Sequence, residues 1–147
     1  MMKINWRITA SVVFAGLTAV GVGIASPASA DEFSGTYKLD LGDGNTATWN
    51  VTPCDNDPLN HCVHVAQQGD SLQQPWNADA FWQVGYWTLN VNRPDFLACP
   101  DGTKHSAVAT YSWNAATLDG QASAFNNGLC GGKPQTLAAY FTMTKES

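Results

Sequence analysis

Charge is scarce in this chain. Asp, Glu, Lys and Arg make up 13% of its 147 residues, and only seven residues are basic. Glutamate is scarcer still: beyond residue 30 only Glu32 and Glu146 remain, one near each end. A hydrolase built on paired carboxylates would have to use aspartates, most of which fall in turn-like sequence. There is no Gly-x-Ser-x-Gly elbow, no His-Glu-x-x-His motif and no phosphate-cradling glycine loop. Gly131-Gly132-Lys133 has no helical pattern behind it and reads as a turn. The sequence also lacks an amphipathic helical pattern, an internal repeat and a low-complexity tract. These absences put a small hydrolase behind a binding protein as the expected function. A disordered chain is excluded by the 44% of hydrophobic and 11% of aromatic residues.

The first 30 residues read as an export signal. Lys3 and Arg7 precede a stretch from Ile8 to Ala30 without a charged side chain, apolar roughly from Ile8 to Ala25. Pro27 breaks that run, and Ala28-Ser29-Ala30 supplies the small residues a signal peptidase accepts before its cut. Glycines, serine and threonines dilute the run, which argues for cleavage over a retained anchor. Residues 31–147 are then the expected mature chain, a single domain with no membrane span. It would carry five basic residues against twelve acidic ones, a formal net charge of −7. That balance excludes nucleic acid as a partner and disfavours anionic membranes.

Beyond the signal, apolar and polar residues alternate through eight short segments separated by turn residues. The predicted strands are Gly35–Leu41, Thr46–Thr52, Cys62–Gln67, Trp76–Gln83, Tyr86–Asn92, His105–Trp113, Leu118–Phe125 and Thr136–Lys145. Arg93–Lys104 reads as a long loop, and Val84-Gly85 as a tight turn. The expected inward face runs through Tyr37, Trp49, Val63, Val65, Trp82, Trp87, Tyr111, Trp113, Leu137, Ala139 and Phe141. Hairpin-sized links predict an all-β, eight-stranded antiparallel up-and-down barrel, with a two-layer β-sandwich as the alternative. A closed barrel also removes sheet edges that an exported protein must otherwise protect.

The motifs Phe33-Ser34-Gly35-Thr36-Tyr37, Cys62-Val63-His64-Val65-Ala66, Cys99-Pro100-Asp101-Gly102 and Tyr111-Ser112-Trp113 together resemble those of small secreted proteins of unknown function from mycobacteria and related actinobacteria. The resemblance covers nearly all of the mature chain and implies an exported protein of the envelope or medium. It carries no catalytic residues over. Gly35-Thr36-Tyr37, opening the first strand, is more loosely similar to lipocalin- and avidin-like barrels, with Tyr in place of their Trp.

Two features invite a chemical role. Cys54, Asp55, Asp57, His61, Cys62 and His64 lie close together and include zinc-type ligands. In an exported chain the thiols are expected to oxidise, leaving His61 in a loop and His64 on a solvent-facing strand position. In a meander, successive loops alternate between the barrel ends, which predicts the pairs Cys54–Cys62 and Cys99–Cys130. No metal and no cofactor are expected. The second feature is the aromatic lining: Tyr37, Trp49, Trp82, Trp87, Tyr111 and Trp113 are the candidate ligand-binding residues, and filling the barrel is their plainer role. The leading expectation is therefore a disulfide-stapled module, secreted or held in the cell envelope, that binds a protein or envelope component. A lipocalin-like carrier of a small apolar ligand is the alternative.

Overall fold

A computed structural model describes residues 29–42, 44–69 and 74–147. The expected export signal, apart from Ser29 and Ala30, lies outside the described residues. Alternating side chains produce eight strands: β1 Gly35–Asp40, β2 Thr46–Pro53, β3 Cys62–Gln67, β4 Trp76–Gln83, β5 Tyr86–Ala98, β6 Lys104–Asn114, β7 Asp119–Asn126 and β8 Gln135–Lys145. Each pairs antiparallel with its sequence neighbour, and β8 closes on β1, so the sheet is a barrel and not a sandwich. Among the described residues no helix is long and apolar enough to cross a membrane.

The period of two decides which side chains enter the core. Trp49, Val63, Val65, Ala80, Trp87, Leu89, Ala109 and Trp113 are almost completely buried, while their strand neighbours Asn50, Asp79, Phe81 and Asn90 are exposed. The β4–β5 hairpin turns at Val84 and Gly85, with φ of 49° and 87°. Positive φ at both central residues matches the right-handed strand twist, and it comes at a cost for the β-branched Val84. At Gly120 a side chain is excluded. Its cross-strand neighbours are Trp113 and Phe141, and the Phe141 ring lies where a Cβ would stand.

Three expectations need correction. Arg93–Lys104 is not all loop, because β5 continues to Ala98 and pairs Leu97 with His105 and Ala98 with Lys104. The register shifts between Arg93 and Leu97, and Pro94 sits in that irregularity, where its missing N–H breaks no ladder. Leu118 precedes β7 instead of opening it, with a φ of 62°. Leu137 and Ala139 of β8 are exposed. β1 reaches only Thr142–Lys145 of β8, so the first half of β8 extends past the closed section of the barrel.

One element lacks any periodic signal. The single helical turn α1, Ala30–Phe33, precedes β1. Ser29 caps it by accepting from the Glu32 N–H, and the Ala30 N–H donates to the Asn60 carbonyl at 2.8 Å. Both disulfides form as the meander requires, Cys54–Cys62 and Cys99–Cys130.

Candidate functional site

The barrel interior is an assembly of rings. Trp49 makes edge contacts with Trp76, Tyr111, Trp113 and Phe141 at centroid separations of 5.2–5.8 Å. Phe33 enters from one end and stacks on Tyr37 and Trp87, with Trp113 beside it. Of the six candidate aromatics, Tyr37, Trp49, Trp87, Tyr111 and Trp113 meet in this core. Trp82 does not join the ring stack: it is half-buried at the end of β4, with its ring 5.1 Å from that of His61. The alternation identifies the inward positions, but whether a ring at the end of a strand stays inside depends on the neighbouring loop.

A polar side chain also sits in this core. Gln67 is the third inward residue of β3, between Trp49 and Trp76 in register, and its Oε1 accepts from Trp49 Nε1 at 3.0 Å. The indole N–H groups of Trp76, Trp82, Trp87 and Trp113 are buried with no hydrogen-bond partner among the described protein atoms. Each such donor destabilises the fold by about 1–3 kcal/mol unless an acceptor reaches it.

The end opposite Phe33 is open on one side. β4 and β5 pair only from Ala80–Leu89 to Gln83–Tyr86, toward the Phe33 end, and beyond that pairing a cleft of about 440 Å³ opens between them. Trp76 lines one wall, while Arg93, Phe96 and Lys104 line the other. The floor is built by stacking and hydrogen bonding together. Trp76 stacks on Tyr111 at 5.3 Å, Arg93 Nη1 donates to the Tyr111 hydroxyl at 3.0 Å, and the guanidinium lies 5.2 Å from the Phe96 ring centroid. Burial raises the Tyr111 pKa, and the Arg93 charge and hydrogen bond partly oppose it. Arg93 and Phe96 were missed by sequence reasoning because Pro94 marks their segment as a loop. The signal that was available is the alternation Val91, Arg93, then Leu97 and Cys99 after the irregularity.

The histidines do not converge. His61 packs on Trp82, and His105 Nε2 lies 3.3 Å from the Thr103 hydroxyl. His64 points outward as expected, with Nδ1 2.7 Å from Asp79 Oδ1. Asp101, also exposed, has its pKa lowered, first by the Thr103 side-chain hydrogen bond.

Comparison with known proteins finds no match among family models, curated proteins or solved structures.

Proposed function

We propose that the chain is exported, is trimmed after Ala30 and acts outside the cell as a binding module whose recognition site is the cleft between β4 and β5. The observation that carries this reading is the lining of that cleft. Two of the five basic residues that follow Ala30, Arg93 and Lys104, line one cleft together with Trp76 and Phe96. Asp95 also lines the cleft, so the two cations leave it one net positive charge in an otherwise acidic chain, and with the rings beside them they suit a small amphipathic anion, with an apolar body on the rings and a carboxylate or phosphate at the cations. The interaction of Arg93 with Tyr111 and Phe96 holds the guanidinium in place before binding, which lowers the ordering cost. The ring contacts that fill the barrel centre favour a site at its end over a lipocalin-like cavity inside.

The test is a calorimetric titration of the purified protein with a medium-chain carboxylate and with the alcohol of the same length. The carboxylate should bind saturably and the alcohol much more weakly. Arg93→Gln should weaken the carboxylate by about ten- to a hundredfold, the worth of one charge-assisted hydrogen bond. Equal binding of the two compounds, or none of either, refutes the assignment. N-terminal sequencing of the protein from culture medium tests the cut, with Asp31 as the expected first residue.

A further inference from the structure

The outer face of β2, β3 and β4 carries two rows of side chains set by the register. Thr52, His64 and Asp79 are cross-strand partners in one row, and Cys62 and Phe81 in the next. Cys54 follows Pro53 on β2, donates its N–H to the Cys62 carbonyl at 3.1 Å, and so extends the second row. The two sulfurs and an Asp79 carboxylate oxygen lie within 4.8 Å of one another. His64 Nδ1 is 2.7 Å from Asp79 Oδ1. Cys54, His64 and Asp79 line one open hollow of about 590 Å³ with Asp55. Two sulfurs and a carboxylate are three zinc-type ligands, as in a site that leaves the fourth position to water, and ligand atoms around tetrahedral zinc sit roughly 3.3–3.8 Å apart, from bonds of about 2.0–2.3 Å.

We propose that reduction of Cys54–Cys62 turns this staple into a binding site for zinc or a similar thiophilic divalent cation. Its ligands are Cys54 Sγ, Cys62 Sγ and one Asp79 oxygen, and His64, hydrogen-bonded through Nδ1 to Asp79 Oδ1, orients that carboxylate. An external dithiol supplies two electrons and two protons, the S–S bond breaks to two thiols, and the reductant leaves as its own disulfide. Metal binding then releases both thiol protons to solvent, so two thiolates and one carboxylate face the cation. The same sulfurs bond either to each other or to the metal, so oxidation expels the ion.

The local backbone does not depend on the S–S bond to keep the sulfurs together. Asp57 Oδ2 accepts from the Cys62 N–H at 2.7 Å, and the Asp57 carbonyl accepts from the Asn60 N–H at 3.2 Å. The β2–β3 connection is therefore also closed by hydrogen bonds. Cys99–Cys130 serves as an internal comparison: among the described residues no comparable set of ligand atoms surrounds it.

Cobalt(II) titration of the purified protein reads the site directly, because thiolate ligation adds a charge-transfer band and tetrahedral geometry intensifies the visible bands. After reduction by a phosphine, the protein should bind one cobalt ion per chain with both signatures, and the oxidised protein should show neither. His64→Ala and Asp79→Ala should each weaken binding at least about tenfold, while Asp119→Ala, on β7, should leave it unchanged. Absence of the thiolate band in the reduced protein overturns the proposal. So does unchanged affinity in both the His64 and Asp79 variants, or equal binding by a chain with Cys54 and Cys62 replaced by serine. If reduction unfolds the chain, far-ultraviolet circular dichroism becomes the readout: recovery of the strand signal on adding zinc supports the site, and no recovery overturns it.

Discussion

The ring of Phe33 stacks on that of Tyr37 with centroids 4.6 Å apart and planes 20° from parallel. Three residues separate them in the chain, yet one belongs to α1 and the other to the inner face of β1. The contact turns the segment ahead of the barrel into its plug, since the same ring also reaches Trp87 and Trp113. Part of the docking, the Ser29 cap and the Ala30–Asn60 bond, lies on the signal side of the proposed cut. Phe33 itself and the bond from Asn60 Nδ2 to Asp31 Oδ2 lie on the mature side.

Phe33→Ala should therefore destabilise the barrel by about 3–5 kcal/mol, the usual loss when a large core ring is removed. A urea midpoint shift at unchanged slope measures it. A loss below about 1 kcal/mol would show that α1 merely rests on the barrel end.

Trp87→Ala should cost a similar ~3–5 kcal/mol, because the indole is fully buried among Phe33 and the core rings. Thr88 faces outward, with its hydroxyl 3.2 Å from that of Ser112, so Thr88→Ala should cost no more than about 1 kcal/mol. Equal losses in denaturant unfolding would mean that the β5 register is wrong.

Gly120→Ala tests a close approach between strands. The new Cβ would fall on the Phe141 ring and stand 2.9 Å from Trp113 Cβ. Both neighbours are buried, so the expected cost is about 1–3 kcal/mol, the range for overpacking a tight core. Calorimetric melting of the variant decides it, and an unchanged melting temperature would mean that Phe141 moves aside freely.

Alkaline pH should loosen the fold. Burial raises the pKa of both Tyr37 and Tyr111 in the folded state, so above pH ~10 the unfolded chain gives up protons that the barrel retains. Their contribution to stability is complete below the ordinary tyrosine range and is lost as pH climbs through the folded values. Unfolding curves collected across that range should show a fall that is shallower in Tyr111→Phe. An identical slope in the variant would remove Tyr111 from the effect.

Alternation alone determined most of this molecule. Residues i, i+2 and i+4 of a strand share a face, so the run Tyr37, Leu39 and the run Trp87, Leu89, Val91 named their own core positions. Short links between such strands imply a meander, and a meander alternates its loops between two ends, which restricted the cysteines to Cys54–Cys62 and Cys99–Cys130. Features that depend on distances between segments stayed hidden. A four-residue turn such as α1 has no period to read, and its place inside the barrel follows from Phe33 finding three rings from other strands. Pro94 looks like a loop marker until the irregularity around it lets β5 run on, and only then do Arg93 and Phe96 face Trp76 across a cleft. Leu137 has the apolar character of a core residue, but β1 is too short to cover that half of β8. Asp79 lies far from His64 and Cys62 along the chain and joins them only through the β3–β4 register. Periodicity is a property of each segment alone, whereas closure, covering and clustering depend on where other strands end, and the tertiary structure decides those.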